Sequence, residues 1–396
     1  MKILAIETSC DDSCIAIAKC SAGKFELISS LISSQIEIHR KWGGVYPALA
    51  RREHQKNLTP LLSQVLKKDN LLVVSKSKIK NPELKNLKNI LDRELILSKK
   101  LIEFLDEYEA PRIDLIAVTI GPGLDPCLWT GVNFARALSY CWDIPIVGIN
   151  HIEAHVFAND KLSIIHDKKN LPSLALIVSG GHTQLILIKK PGDYKILGET
   201  RDDAAGEAFD KIARILGLDY PGGPAIAAEA AKKSSVSSQG SKQTDKIVIK
   251  VPRPMLNTKD YDFSFSGLKT AVLYDYKKRT KKEQKSEAYI QAMASEAQQA
   301  IIDVLIKKTI KAAKDYRVKS ILLGGGVTAN KELRKQFQQK IKKENSRFKL
   351  YVSPPKYCTD NAAMIATTAC FKQTAKNQSL DRWESIKAIP NLRIND

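Results

Sequence analysis

Lys2–Ala18 reads KILAIETSCDDSCIAIA, and Leu174–Ile188 reads LALIVSGGHTQLILI. Each is an apolar strand, a tight polar turn and a second apolar strand, the pattern of a β-hairpin. The first turn carries Thr8, Ser9, Cys10 and Asp11; the second carries Ser179, Gly180, Gly181, His182 and Thr183. Hydroxyls and free backbone N–H groups in such turns form concave anion sites. The duplicated layout predicts an α/β chain of two lobes whose facing hairpins clasp nucleotide phosphates.

Working outward, Lys319–Arg334 (KSILLGGGVTANKELR) reads as strand, glycine loop and helix, with the helix N-terminus favouring negative charge. It also fits Gly-x-Gly-x-x-Ala of a Rossmann loop. That reading lacks an acidic residue after the next strand (348–352) and leaves the two hairpins unexplained. Gly121-Pro-Gly123 follows a strand (115–120) and precedes a helix of the Thr130–Tyr140 type, and Pro221-Gly-Gly-Pro224 is a rigid turn after a helix (206–216). Residues 67–110, rich in Lys, Leu and Glu, read as a peripheral helical insertion, and 232–245 have linker composition. The basic runs Lys277–Lys282 and Lys340–Lys343 are either phosphate contacts or solvated helix faces.

His151 and His155 flank Ile-Glu-Ala, and Asp360-Asn361 lies far downstream. Residues four apart share a helix face, so the two imidazoles can grip one metal ion, with Asp360 as a third ligand. Three protein ligands leave a position open for water or substrate. Two His and a carboxylate suit zinc or ferrous iron alike. The pattern is not His-Glu-x-x-His, because Glu153 is misplaced for a zinc-protease base. With Asn150 as helix N-cap, Glu153 falls at the third helical position of a capping box. Two unremarkable histidines, on the surface or in the core, are the plain alternative.

The chain of 396 residues is long enough for two lobes, and 43% hydrophobic with 27% charged residues is ordinary for a globular protein. No stretch approaches the ~20 consecutive apolar residues of a membrane helix, and the N-terminus reads as a strand rather than a signal peptide. Seven cysteines without zinc-finger spacing argue for a reducing compartment, and so a cytoplasmic location. Cys10 and Cys14 lie on a hairpin and are not read as a metal site. The formal net charge of +20 favours a polyanionic partner, nucleic acid or anionic membrane, or else is only a lysine-rich solvated surface.

The segments IETSCDD (6–12), GGVYPALARREH (43–54), His151-x-x-x-His155, VSGGHT (178–183), DAAGEAFDK (203–211), PGGP (221–224), FSFSGLKT (263–270), GGGVTAN (324–330) and CTDN (358–361) occur in this order. In them the chain closely resembles the universal tRNA threonylcarbamoyladenosine transferases, called TsaD in bacteria, whose relatives serve the KEOPS complexes. The resemblance implies the two-lobed actin-like ATPase (ASKHA) fold. Its expected lobes are 1–170, with the insertion at about 67–110, and 171–372, whose last helix packs back on the first lobe, followed by a tail, 373–396.

The implied reaction moves a threonylcarbamoyl group from threonylcarbamoyl-AMP to the exocyclic amine of the adenosine 3′ of the anticodon, in tRNAs reading ANN codons. One divalent ion per subunit, Fe2+ or Zn2+, is expected on His151, His155 and Asp360. Substrate or nucleotide contacts are expected at Ile177, Val178, Ser179, Gly180, Gly181, Asp210, Gly223 and Asn330. Asp11 and Asp12 are the candidate catalytic carboxylates, or else cap their turn's N–H groups; Asp12 stands where many relatives have Glu. Leu124–Trp129, after the Gly-Pro-Gly loop, departs from the family's small or aliphatic residues. His182 either meets the donor or braces its hairpin, and His54 is assigned to a tRNA or partner surface or to neither. Implied partners are tRNA, an inactive TsaB-like paralogue and a small TsaE-like P-loop ATPase, with no membrane. The competing readings are a small-molecule kinase of the same fold, which needs no His pair, and a metallopeptidase.

Overall fold

Strands β1 (Lys2–Glu7) and β2 (Asp12–Ser21) pair antiparallel, and β3 (Lys24–Ser34) extends them into a meander. On the other side of β1 lie β4 (Leu115–Gly121) and then β5 (Ile146–Asn150), both parallel to their neighbours. The second sheet repeats this plan. A meander of β6 (Ser173–Val178), β7 (Thr183–Lys190) and β8 (Asp193–Glu199) is followed by β9 (Ser320–Gly324) and β10 (Lys349–Val352), parallel beyond β6. The orders β3-β2-β1-β4-β5 and β10-β9-β6-β7-β8 are one topology used twice. This is the two-sheet α/β architecture of the actin-like ATPase fold. The computed structural model describes residues 1–21, 24–76, 78–158, 167–236, 247–343, 348–374 and 381–396.

The helices are α1 (Ile36–Arg40), α2 (Pro47–Lys68), α3 (Asn81–Ile90), α4 (Leu95–Glu107), α5 (Asp125–Trp142) and α6 (His151–Phe157). They continue with α7 (Ala205–Ile215), α8 (Gly222–Val236), α9 (Ser266–Lys278), α10 (Lys281–Gln284), α11 (Glu287–Asp315), α12 (Lys331–Lys343) and α13 (Ala362–Thr374). Leu4 and Ile6 of β1 share a core with Leu58, Leu101 and Leu138 of α2, α4 and α5. On the opposite face, Ile3 and Ala5 meet Ile365 and Ala369 of α13. A sheet covered on both faces needs a continuous apolar run, which explains why β1 and β6 lack alternation.

Helix α6 lies between the sheets. Its Ala154 packs with the α13 side of the first sheet, whereas Ile152 and Val156 pack with Ala175 and Ile177 of β6.

Within 67–110, helices α3 and α4 are not peripheral. Leu87 and Leu91, and Leu97, Leu101 and Leu105, recur four apart and are buried in the first sheet's core. The Lys and Glu between these leucines hide the stripe from a reading by composition. Of the stretch read as a linker, 232–236 complete α8, and 237–245 lie outside the described residues. The helix expected from Thr130 starts earlier, at Asp125, with Pro126 in its first turn. Reduced thiols throughout are not what the structure has: β2 and α13 join Cys20 to Cys370 in a disulfide, and the other five cysteines are free. Within the tail, Ile386 is buried in the first core and the Ile389 N–H donates to Ile120 O (2.7 Å); residues 375–380 lie outside the described residues.

Candidate metal centre and substrate cleft

Helix α6 begins where Asn150 Oδ1 accepts from the N–H groups of Ile152 (2.9 Å) and Glu153 (3.1 Å). The N-cap forms, but the reciprocal half of the capping box does not. Glu153 instead accepts from Tyr194 Oη (2.9 Å) and pairs with Lys372 Nζ (2.9 Å), because both lie on elements packed against α6. Asp360 sits just before α13, which Asn361 caps through Met364 N–H (3.0 Å).

These two caps bring the three donors together. Asp360 Oδ1 is 3.5 Å from His151 Nε2 and 3.3 Å from His155 Nε2. Ligands at about 2.0–2.1 Å from a tetrahedral ion stand roughly 3.3 Å apart, so the separations fit one cation. His151 and His155 are buried, and both ring nitrogens of His155 lack a hydrogen-bond partner, Nε2 included. A buried polar atom left so is costly, and a metal would satisfy it.

Glu7, at the end of β1, completes the arrangement. Its Oε2 lies 3.0 Å from His151 Nδ1 and accepts from Thr119 Oγ1 (2.6 Å), while Oε1 accepts from Ser9 N–H. Sequence reasoning missed this residue. Its signal was a lone acid closing an otherwise apolar strand. Burial opposes a charge on His151, yet Glu7 and Asp360 outweigh it and hold the imidazole at about 9. Burial also works to raise Asp360, but His151, ahead of His155, brings it down to about 2. Without a metal the trio therefore holds a proton that an ion would displace.

The first hairpin turn is largely committed to the protein itself. Thr8 Oγ1 donates to Cys127 O (3.0 Å), and Ser9 Oγ is 3.2 Å from His151 Nδ1. Those hydroxyls are buried and do not line an anion site, contrary to the sequence reading. Leu124, which opens the departing segment, donates its N–H to Ser9 O (2.8 Å). Asp11 and Asp12 remain half-buried. Burial raises the Asp11 carboxyl, and burial followed by the Asp11 charge pushes Asp12 up to about 7. Asp12 Oδ1 is buried without a hydrogen-bond partner.

In the second turn, Gly180 and Gly181 are exposed, and a side chain at either would meet open space. Ser179 N–H donates to His182 O (2.8 Å), which closes the turn. Gly325, at φ +89°, brings its loop against Val178 O, where a Cβ would clash. Ile177 and Val178 are wholly buried, so their side chains are core residues. Burial, then His151 and His155, pulls His182 down to about 4, which places its ring in the electrostatic field of the trio.

Asp210 Oδ1 accepts from Gly222 N–H (2.7 Å), and burial pushes its carboxyl up to about 6. Gly223 has open space where a side chain would be. Asn330 caps α12 through Leu333 N–H (3.0 Å) and donates to Gln298 Oε1 (2.8 Å). His54 is not at a surface. It is buried against Ser13 Oγ (2.7 Å) and Cys10 O (2.9 Å), where it braces the first turn, and burial pulls it down to about 4.

Among the described residues, no helix is long and apolar enough to cross a membrane. The family model "TsaD: tRNA N6-adenosine threonylcarbamoyltransferase" matches residues 26–78 and 97–367. A protein of that name from Thermosipho africanus is 42% identical over 394 residues, covering 100% of both chains. Others from Persephonella marina (41% identical, 93% of this chain and 89% of that one) and Geobacillus kaustophilus (39%, 99% and 96%) are similar. Among solved structures, T. kodakarensis HypF superposes with a TM-score of 0.51 at 13% identity. That match covers 94% of this chain and 48% of HypF, and it speaks to fold alone.

Proposed function

The chain belongs to the tRNA N6-adenosine threonylcarbamoyltransferase family and is a tRNA-modifying transferase, and we propose that its donor is threonylcarbamoyl-AMP and its acceptor the adenosine 3′ of the anticodon in tRNAs reading ANN codons. The observation that carries this reading is the His151–His155–Asp360 trio, two buried histidines and a partly exposed carboxylate between the Ser9 turn and the His182 turn. The lobes of this reading divide near residue 170.

In the reaction, the N6 amine attacks the carbamoyl carbon. A C–N bond forms, the bond from that carbon to the phosphate oxygen breaks, and AMP leaves with the electron pair. Bound to the trio, one Fe2+ or Zn2+ would supply Lewis acidity to the carbamoyl oxygen. The exposed Gly180 and Gly181 of the second turn leave room for the donor to approach the backbone. Asp210 suits ribose hydroxyls, with Gly223 and Asn330 flanking the base. Asp12, raised to about 7, suits the proton that the amine releases, since a base is most effective near the working pH. Burial is the main cause of that value, and the Asp11 charge adds to it. Holding two substrates in register contributes further orders of magnitude. An inactive TsaB-like paralogue and a small TsaE-like ATPase are the expected companions, in the cytoplasm.

Glu153 gives the peptidase reading no support, because its carboxylate is held by Tyr194 and Lys372. The test supplies threonylcarbamoyl-AMP with unmodified tRNAs that read ANN codons and tRNAs that do not. The expected result is AMP and threonylcarbamoyladenosine in equal amounts, from the first set alone. AMP released equally without tRNA, or product from both sets, would contradict the reading.

A further inference from the structure

The loop between α1 and α2 carries two aromatic side chains on the outside of the protein. Trp42 and Tyr46 are 64% and 55% exposed, and their rings stack with centroids 5.8 Å apart at 24°. Two adjacent, stacked and largely exposed aromatics present apolar faces that a partner can cover.

Hydrogen bonds anchor the loop at the cleft. Gln35 N–H donates to Asp11 O (3.2 Å), Gln35 Oε1 lies 3.1 Å from His39 Nε2, and His39 Nδ1 accepts from Tyr46 N–H (3.3 Å). From the other lobe, Arg214 donates to Gly43 O, and Arg40 Nε donates to Tyr220 O (3.3 Å). Tyr220 itself lies in the field of Asp11 and Asp210. The aromatic pair thus stands at the rim where both lobes meet the substrate carboxylates.

Its surroundings are cationic. Arg40, Lys41 and Arg214 are exposed around the loop, Glu37 is paired with Arg40 (2.9 Å), and the first turn of α2 has no acid. Stacked aromatics interleaved with cations are how proteins hold single-stranded nucleic acid, and the chain's net charge of +20 points the same way.

We infer that Trp42 and Tyr46 form a stacking platform for an unstacked nucleobase of the acceptor tRNA, next to the adenosine that is modified, with Lys41 and Arg214 meeting its phosphates. A base taken out of its loop loses stacking, and an exposed indole returns it. This rests on tRNA being the acceptor.

The test is titration of the full chain with unmodified tRNA, read by tryptophan fluorescence and by an independent binding assay. Trp42 is the exposed large-side-chain indole among Trp42, Trp129, Trp142 and Trp383, so wild-type emission should be quenched. Trp42→Phe should lose the quench yet bind within about threefold of wild type, since a phenyl ring still stacks. Trp42→Ala should weaken binding roughly 5- to 150-fold, raising the tRNA KM more than it lowers kcat. Lys41→Ala should reduce the salt slope by about one. If wild type binds tRNA and Trp42→Ala binds it equally well, the platform is overturned while the acceptor reading stands, and the pair becomes a protein-docking surface. If wild type neither binds nor modifies tRNA, both fall.

Discussion

Oε2 of Glu7 lies 3.0 Å from Nδ1 of His151, leaving Nε2 of that ring facing Asp360. Glu7 is fully buried and also accepts from Thr119 Oγ1 at 2.6 Å, so it is itself fixed. A carboxylate on the far nitrogen sets the tautomer of a metal-binding imidazole and raises its basicity.

Glu7→Gln should therefore lower metal affinity by about 10- to 100-fold while leaving the trio in place. Chelator competition on the purified protein reads this directly, without activity. Equal affinities in the variant and wild type would mean that Glu7 does not orient His151.

Glu153 and Lys372 tie α6 to α13 across the junction of the sheets. Lys372→Met leaves a buried carboxylate with Tyr194 alone and should cost about 2–4 kcal/mol in urea denaturation. Adding Glu153→Gln should recover part of that loss, because the stranded charge is gone. Strict additivity of the two substitutions would show that the pair is not coupled.

Asp12 gives a pH signature. Folded, its carboxyl keeps its proton up to about 7; unfolded, it releases it near 3.8. Its contribution to stability is therefore fully present below about 3.8 and is lost as pH rises to about 7. Asp12→Asn removes that loss. Metal-free variant and wild type should diverge across this window, the variant ending about 4 kcal/mol ahead. A difference that stays constant with pH would contradict the raised value.

The duplicated hairpins were legible because β1 and β6 are buried on both faces and so appear as unbroken apolar runs. His151, His155 and Asp360 were legible through helical spacing and resemblance, and the structure brings their donor atoms together. Glu7 was not, since its role depends on where β5 delivers Asn150 and α6, a long-range fact. Glu153 was half read: local capping rules anticipated Asn150, but Tyr194 and Lys372 reach Glu153 only in the packed protein. Leu87 to Leu105 were misjudged because charged neighbours dominate their composition. Thr8, Ser9 and His54 carry polar groups that face inward, which no local pattern separates from groups facing a cleft.

The most direct measurement incubates wild type and His155→Ala, each assayed for bound metal, with unmodified tRNA, threonylcarbamoyl-AMP and the expected companions, then analyses nucleosides by mass spectrometry. The account predicts one ion per chain and threonylcarbamoyladenosine for the wild type, and loss of both in a variant that is still folded and still binds tRNA. A His155→Ala protein that loses its metal but makes the product at the wild-type rate would contradict a metal-centred transfer site.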